Sequence, residues 1–338
     1  MDPGIPIPPT GYGGIERIVG MLALEYRRLG HTVELFSSQG SSIEGIRCHS
    51  IGPDGFPPSK LVFWVAILKA WKFLFLKRNE FDLIHSFGRL IYLLPILNHS
   101  GKKIMSYQRE ISQRNIKWIN KLPITNFVFT GCSNDLVSRG SVAGRWETIY
   151  NAIDFSKYTL IDSVPSDAPL MFLGRIERVK GCHTAIRIAL QTGNKLLIGG
   201  NISPLADEKK YFEEEIRPYI DDKQIIFLGP LNDDQKNKYL GQSKALLFPI
   251  EWNEPFGIVM IEAMACGTPV LAFERGSVSE VVDDSITGYK MDTRDQMVEK
   301  IANIDYIKRR ECRAHSQQKF DIKYISNHYL SISNHESE

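Results

Sequence analysis

Two carboxylates bracket a short turn in the segment EWNEPFGIVMIEAMACG, residues 251–267. Glu254 precedes the turn, and Glu262 lies near two turns into a helix that the apolar spacing predicts up to Gly267. The amides of residues 257–259 would begin that helix, where free N–H groups favour negative charge by roughly 0.3–1 kcal/mol. Carboxylates can accept hydrogen bonds from hydroxyl groups, while backbone amides can donate hydrogen bonds to an anion. The segment therefore predicts a ligand that carries both kinds of group.

A second candidate loop follows a predicted strand in FLGRIERVKG, residues 172–181. The strand ends at Gly174, and Arg175 and Lys180 stand five residues apart around the turn. Arginine can bind phosphate oxygens through two parallel hydrogen bonds, and lysine adds a point charge. The pair predicts a phosphate site, although a solvated basic loop explains these two residues equally well.

Two glycine-rich loops complete the set of candidates. In GYGGIER, Gly13 and Gly14 precede a predicted helix, and LLIGGN ends a predicted strand at Gly199 and Gly200. Glycine lets a ring or a phosphate approach the backbone closely. Each loop alone also fits an ordinary turn. Together with the carboxylates and the basic pair, the loops predict one ligand, a nucleotide sugar.

The elements that must position these residues alternate between strand and helix patterns, which predicts parallel sheets with crossover helices. The first half of the chain contains five candidate strands: TVELFSS, IRCHSI, FDLIHSF, KKIMSY and NFVFTGCS. After the polar stretch LIDSVPSDAP, which indicates a linker, a second series follows: LMFLGRI, KLLIGGN, QIIFLGPL, KALLFPI and TPVLAF. We therefore predict an α/β protein with two doubly wound, Rossmann-like domains that face a cleft. In such domains ligands bind outside the carboxyl ends of the strands.

The predicted domains cover residues 1–155 and 165–315, and residues 316–338 form a helix that crosses back to the first domain. Either the start of the chain is truncated or the first domain lacks its initial strand. Only MDPGIPIPPT precedes the first glycine-rich loop, and its proline content is incompatible with an ordinary central strand.

Composition excludes several other classes of protein. The net charge is only +2 and no basic tract occurs, which argues against nucleic-acid binding. Five cysteines without a C-x-x-C pair indicate reduced thiols in a cytosolic protein rather than a disulfide framework or a zinc site. No apolar signal sequence is visible at the start.

The longest apolar run, LVFWVAILKAWKFLFLK at residues 61–77, has two interpretations. It fits a core-facing helix with an amphipathic margin. It also fits an interfacial helix in which Trp64, Trp71 and Phe75 enter lipid while Lys69 and Lys72 face the headgroups.

The segments GGIER, GRIERVKG, EPFGIVMIEAMACGTPVLA and GSVSEVVDDSITGY resemble the retaining nucleotide-sugar glycosyltransferases of family 4, which have the GT-B fold. The similarity is dense from about residue 170 to 290 and sparser in the first half. Glu254 and Glu262 match the E-x(7)-E pattern of that family.

The resemblance implies a role for each candidate residue. Arg175 and Lys180 would bind the donor diphosphate and stabilise the leaving nucleotide. Glu254 would bind hydroxyls of the transferred sugar, and Glu262 would bind the ribose. The amides after Phe256, those of Gly257, Ile258 and Val259, would support the diphosphate or sugar, and Gly13 and Gly14 would let the first domain close over it. His85 matches the family histidine near the transferred sugar. Gly199 and Gly200 stay among the predicted binding residues on the ground of their own loop.

The resemblance also implies a reaction. The enzyme would move a sugar from a UDP- or GDP-sugar to a glycan, lipid-linked or small-molecule acceptor, with retention of configuration. No cofactor is expected, and the absence of a D-x-D motif argues against an obligatory divalent metal. The enzyme would be cytoplasmic, with peripheral association at the inner face of the membrane. The alternatives are a degenerate nucleotide-sugar-binding protein and another GT-B enzyme, such as a phosphorylase or a nucleotide-sugar epimerase.

Overall fold

A computed structural model describes residues 1–9, 11, 13–55, 57–141 and 143–334 of the chain. The chain divides into two compact units. Unit 1 comprises Met1–Ala152 with the C-terminal segment from Ile322, and unit 2 comprises Ile153–Asp321. Both units alternate strands and helices, as the sequence predicts.

The described helices and strands of unit 1 before residue 152 are, in chain order, α1 (Gly14–Arg28), β1 (Glu34–Ser38), β2 (Arg47–Gly52), α2 (Lys60–Lys77), β3 (Leu83–Ser86), β4 (Lys102–Tyr107), α3 (Gln113–Ile119), β5 (Phe127–Gly131), α4 (Asn134–Gly140) and β6 (Trp146–Thr148). Its strands form two parallel sheets, a pair β1-β2 and a four-stranded sheet in the order β3-β4-β5-β6.

The described helices and strands of unit 2 are β7 (Leu170–Leu173), α5 (Cys182–Thr192), β8 (Leu196–Gly199), α6 (Ala206–Tyr211), β9 (Ile225–Gly229), α7 (Asp233–Gln242), β10 (Ala245–Phe248), α8 (Ile258–Ala265), β11 (Val270–Phe273), α9 (Val278–Val281), β12 (Gly288–Met291), α10 (Arg294–Ile301) and α11 (Arg309–Phe320). One six-stranded sheet in the order β12-β11-β10-β7-β8-β9 runs through the unit, and all of its pairs are parallel. The last helix that the structure describes, α12 (Ile322–Asn334), belongs to unit 1.

The amino-terminal residues of unit 1 contain no strand within Met1–Pro9, as the proline content predicts. The Met1 amine instead donates a hydrogen bond of 3.0 Å to the carbonyl oxygen of Phe36 in β1. A cavity of about 140 Å³ lies between β1 and β3, and both strands line it. Because β1 and β3 end separate sheets, the strand edges of unit 1 meet across this cavity without pairing.

The segment between β6 and β7, which the sequence predicts as a linker, is fastened to the core of unit 2. The Arg309 guanidinium donates hydrogen bonds to the carbonyl oxygens of Ile161 at 2.6 Å, Gly241 at 2.7 Å and Ser243 at 3.0 Å. It also donates to the hydroxyl of Thr268 at 2.7 Å. Burial lowers the pKa of Arg309, and these acceptors keep its buried polar atoms satisfied.

Helix α2 contributes one face to the core of unit 1. Ala66, Ile67 and Ala70 are almost inaccessible and pack with Ile51 and Tyr92. The opposite face leaves large apolar side chains in solvent, so α2 combines features of both interpretations of the apolar run. Within the residues that the structure describes, no helix has both the length and the apolar character needed to cross a membrane.

Candidate functional site

The centre of the candidate site in unit 2 is an ion pair between two residues predicted to bind a donor. The Lys180 ammonium lies 2.5 Å from Oε2 of Glu254, and both side chains are largely buried, at 16% and 13% exposure. The indole N–H of Trp252 donates to the same carboxylate oxygen at 2.8 Å, and the Lys180 ammonium lies 4.9 Å from the centre of the Trp252 ring. The structure thus brings a cation and a carboxylate together under an aromatic ring.

Backbone contacts hold the two loops that carry this pair. The amide of Glu251 donates to the carbonyl oxygen of Val179 at 2.8 Å, which joins the segment before α8 to the segment before α5. The amide of Ser277 donates to the carbonyl oxygen of Glu254 at 3.0 Å. The position of Lys180 relative to Glu254 therefore depends on main-chain geometry as well as on the ion pair.

Helix α8 begins beside Glu254. Gly257 caps it with a φ of 77°, in the left-handed region that side chains disfavour. Ile258 and Val259 form its first turn, where the amides have no partner within the helix. The helix ends at Ala265, close to the predicted stop at Gly267. An anion next to Glu254 would therefore meet backbone donors.

Phe256, two residues before the start of α8, has its side chain in the core and holds the turn in place. Its side chain is only 2% exposed and packs edge-on against Phe320, with ring centroids 5.7 Å apart. Its carbonyl oxygen accepts a hydrogen bond of 2.9 Å from the hydroxyl of Ser277. The ring thus anchors the turn, and any contact with a ligand would come from the backbone that follows it.

Glu262 lies in a separate polar cluster. It follows Ile258 by four residues, so it stands little more than one turn into α8 and not near two turns as predicted, because a turn takes 3.6 residues. Its Oε1 atom accepts hydrogen bonds from the Lys236 ammonium at 2.5 Å and from the Tyr158 hydroxyl at 3.0 Å. Burial, and then the neighbouring Glu262 carboxylate, raise the pKa of Tyr158 well above its ordinary value.

Arg175 follows the end of β7, as predicted. Its Nη1 atom lies 3.1 Å from Oε1 of Glu177, and its side chain is 35% exposed. The arginine is thus accessible at the carboxyl end of a strand, where ligands of doubly wound sheets bind.

The predicted glycine pair at the end of β8 has a clear packing role. Gly200 has a φ of 146°, and a Cβ atom there would lie 1.8 Å from the carbonyl oxygen of Gly174. A Cβ atom on Gly199 would lie 2.7 Å from a methyl group of Leu231. The backbone after β8 therefore approaches the backbone after β7 more closely than any side chain permits.

His85 lies in β3 of unit 1 and is enclosed by polar and aromatic groups. Its Nε2 atom is 2.7 Å from the Ser106 hydroxyl, and its Nδ1 atom is 3.3 Å from the Tyr26 hydroxyl. The rings of Phe87 and Tyr329 lie 4.3 and 4.6 Å away, measured between centroids. Burial lowers the pKa of His85 to about 3, so the imidazole is neutral at physiological pH. These contacts suit a structural residue, and its role near a transferred sugar stays a prediction.

The first glycine-rich loop also belongs to unit 1. Gly13 precedes α1, and Gly14 is its first residue. A Cβ atom on Gly13 would lie 2.8 Å from the Cβ atom of Pro9, so packing against proline explains one of the two glycines. A binding role for this loop stays a prediction.

The structure thus joins Lys180 directly to Glu254 and gives Glu262 its own partners. Three residues of these clusters were not among the predicted site residues: Trp252, Lys236 and Tyr158. Trp252 lies two residues before Glu254, so its position near the turn was a usable signal. The other two come from distant parts of the chain, and no local spacing indicates them.

Comparison with known proteins identifies the fold. Residues 163–318 match the family model described as glycosyl transferases group 1. The sucrose-phosphate synthase of Thermosynechococcus elongatus superposes with a TM-score of 0.79 at 20% identity, over 98% of this chain and 94% of that one. The protein has the GT-B fold. Its family match lies in unit 2, where the ion pair of Lys180 and Glu254 is found.

Two further relatives bear on the kind of protein this is. The structure of Anabaena HepE in complex with UDP and glucose has a TM-score of 0.73 at 18% identity, covering 98% of this chain and 99% of that one. The α-1,3/1,6-mannosyltransferase of Rhizomucor pusillus is 25% identical over 358 residues, which span 83% of this chain and 78% of its own length. Together with the family match, these similarities support a glycosyltransferase.

Proposed function

We propose that the protein is a retaining hexosyltransferase that moves a sugar from a nucleotide-diphosphate donor to an acceptor. The observation that carries the proposal is the pair of Lys180 and Glu254, 2.5 Å apart beside the first turn of α8. A cation, a carboxylate and helix amides at one place suit a ligand with a diphosphate next to sugar hydroxyls. The family match and the UDP complex of HepE support this interpretation.

Donor binding would exchange the partners of the ion pair. A diphosphate oxygen would replace the Glu254 carboxylate on the Lys180 ammonium, and Arg175 would bind a second oxygen. Glu254, released from Lys180, would accept hydrogen bonds from hydroxyls of the transferred sugar. A charge-assisted contact is thus replaced by others of similar strength, so neither charge is left buried without a partner.

The proposed chemistry breaks the bond between the anomeric carbon and the diphosphate oxygen and forms a bond to the acceptor oxygen on the same face. The acceptor proton passes to the departing phosphate oxygen. Lys180, Arg175 and the amides of α8 stabilise the negative charge that develops on the diphosphate. No carboxylate acts as the nucleophile that retaining hydrolases use, and the reaction needs no added divalent metal.

Glu262 would bind the non-reacting ribose. Lys236 and Tyr158 already fix one oxygen of its carboxylate, which orients the group before a donor arrives. We infer that UDP- or GDP-sugars are the donors and that the acceptor is a glycan, a lipid-linked molecule or a small molecule. The proposed location is the cytoplasm, with peripheral association at the inner face of a membrane.

Steady-state kinetics of Glu254→Gln and Glu262→Gln test the proposal. Glu254 contacts the reacting sugar, so its loss should lower kcat, because interactions that strengthen in the transition state appear there. Glu262 contacts the ribose, so its loss should mainly raise the KM of the donor. Glu251→Gln is the matched control, because this glutamate side chain is exposed, lies 3.1 Å from His183 and is not one of the residues assigned to the donor.

Calorimetry adds a test that needs no acceptor. We expect Arg175→Ala to weaken nucleotide diphosphate binding by about 1.5–3 kcal/mol. A folded variant with unchanged affinity for UDP and GDP would remove Arg175 from the site. Parent protein that binds a donor without hydrolysis or transfer would favour the degenerate binding protein, and conversion of the donor into its epimer would favour an epimerase.

A further inference from the structure

We propose that α2 and the adjoining part of β2 form a site for anionic phospholipid on unit 1. The outward face of α2 carries mostly large apolar side chains. Six of its large side chains expose between 43% and 74% of their surface: Leu61, Trp64, Val65, Leu68, Phe75 and Leu76. Contiguous exposed apolar side chains of this kind are unusual on the surface of a soluble protein and mark a binding region.

A rotation of α2 about its axis cannot bury these exposed apolar side chains in the core of unit 1. Ala66, Ile67, Ala70 and Leu74 already pack into the core of unit 1, and the Ser59 hydroxyl caps the first turn by accepting from the amide of Val62. The helix is therefore fixed by its buried side, and the opposite side presents the apolar residues outward. Burial of that side needs an external partner.

Charge identifies the partner. Residues 60–78 carry five basic side chains and no acidic one, whereas the net charge of the entire chain is only +2. Lys69 and Lys72 stand on the exposed side, three residues apart, where like charges repel. Among the described residues, neither lysine has an acidic side chain within ion-pair distance. A second copy of this face would add to the repulsion, whereas an anionic surface relieves it.

The lysines also line a groove suited to a phosphate group. Lys69, Lys72 and Lys77 border a shallow, open depression of about 510 Å³ between α2 and β2. Phe73 and Leu76 supply apolar parts of its wall. Lys77 also contacts Glu80 at 2.8 Å, so Lys69 and Lys72 are its less compensated cations. A phospholipid fits this arrangement, with its phosphate beside the lysines and its acyl chains against the apolar face.

The proposal rests on the peripheral membrane association that is part of the proposed function. Vesicle sedimentation tests it without requiring transferase activity, so its failure can be distinguished from a failure of the proposed sugar transfer. The full-length protein should sediment with vesicles of phosphatidylcholine and phosphatidylglycerol and stay in solution with phosphatidylcholine alone. The double variant Lys69→Glu/Lys72→Glu should weaken binding by about tenfold or more, because each basic residue near an anionic surface contributes measurably. Lys209→Glu/Lys210→Glu, exposed lysines on α6, is the charge-matched control and should bind as the parent does.

A second matched pair tests the apolar face. Leu68 and Leu205 are each 63% exposed, the first on α2 and the second in unit 2. Leu68→Ser should reduce vesicle binding several-fold, and Leu205→Ser should leave it unchanged. Equal losses in both variants, or no binding of the parent to anionic vesicles, would overturn the proposal. Binding of soluble glycerol phosphate without vesicle binding would also overturn it, as would a dimer that Trp64→Ser converts to monomer.

Discussion

The two units use the same alternation of strand and helix but complete their sheets differently. In unit 2, six strands pair without interruption, and β7, β8, β10 and β11 are buried along their whole length. In unit 1, the strands fall into a pair and a four-stranded sheet, with a cavity between β1 and β3. Backbone groups along the facing edges of those two strands thus have no strand partner within the described residues.

This difference has an energetic consequence. A buried backbone group without a partner costs free energy comparable to a lost hydrogen bond. The Met1 amine supplies one donor to the edge of β1, but burial lowers the pKa of that amine and opposes its charge. We expect peptides of β1 and β3 to exchange amide hydrogens faster than peptides of β10 and β11. We therefore expect unit 1 to be the less stable unit, and we expect the continuous sheet of unit 2 to give the proposed donor site a more rigid support.

The substitution with the largest expected effect lowers the stability of unit 2 towards that of unit 1. Arg309→Met should lower its free energy of unfolding by about 3 kcal/mol or more, because several buried carbonyl oxygens lose their donor. Hydrogen exchange of β10 and β11 measures this loss directly. Arg310→Met is the control: its side chain is 74% exposed, and its pairing with Asp162 contributes at most about 1 kcal/mol. Equal effects of the two variants would show that the buried guanidinium does not hold unit 2 together.

Acidification should lower the free energy of unfolding of unit 1 and so increase the difference in stability between the two units. The pKa of His85 is about 3 in the folded state and 6.5 ordinarily, so the unfolded chain binds a proton below pH 6.5 that the folded unit excludes. Stability from neutral His85 is therefore complete above pH 6.5 and is lost as pH falls towards 3. At pH 5 the loss should be about 2 kcal/mol.

Urea denaturation with pulse labelling of unit 1 peptides at pH 7 and pH 5 measures this loss. Burial also lowers the pKa of His183 in unit 2, so unit 2 is itself sensitive to acid. The acid sensitivity of unit 1 must therefore be compared with that of a His85 variant and not with that of unit 2. His85→Gln should make the stability of unit 1 nearly independent of pH in this range. A variant that retains the full acid sensitivity would assign the effect to other groups.

The substitution with the smallest expected effect fills the cavity between β1 and β3 and should reduce the difference in stability between the two units. Ala70 lines the cavity between β1 and β3, and Ala70→Leu should raise the stability of unit 1 by about 1 kcal/mol through added apolar burial. The same substitution at Ala185, which is completely buried in α5, should destabilise unit 2 by about 1–3 kcal/mol through overpacking. Destabilisation at both positions would mean that the cavity cannot accept the larger side chain.

Much of the fold follows from local sequence. Alternating apolar segments predict the strands from β1 to β5 and from β7 to β11, and the helix before Gly267 ends close to the predicted residue. The edge strands β6 and β12 were not predicted. Strand β6 has the sequence WET and β12 the sequence GYKM, so neither contains a run of apolar residues. Short edge strands depend on pairing with a neighbour more than on their own side chains.

The candidate site divides in the same way. Strand ends and the turn before α8 follow from glycine and apolar spacing. Arg175 and Glu254 lie in irregular segments, as predicted, whereas Lys180 ends a short 3₁₀ helix before α5. The partners of Glu262 could not be predicted, since Tyr158 and Lys236 reach it from 104 and 26 residues away in sequence. Tertiary packing, which no local pattern encodes, brings these side chains together.

The fastening of the irregular segment by Arg309 determines where the protein can be divided for separate production of its units. A fragment that starts at residue 165, the predicted domain boundary, omits Ile161 and leaves one donor of the buried guanidinium without its acceptor. It also omits Tyr158, and Glu262 then keeps only Lys236 of the two partners described here. A fragment that starts at Ile153 and ends at Asp321 retains all of these contacts and is the natural choice for binding studies of unit 2 alone.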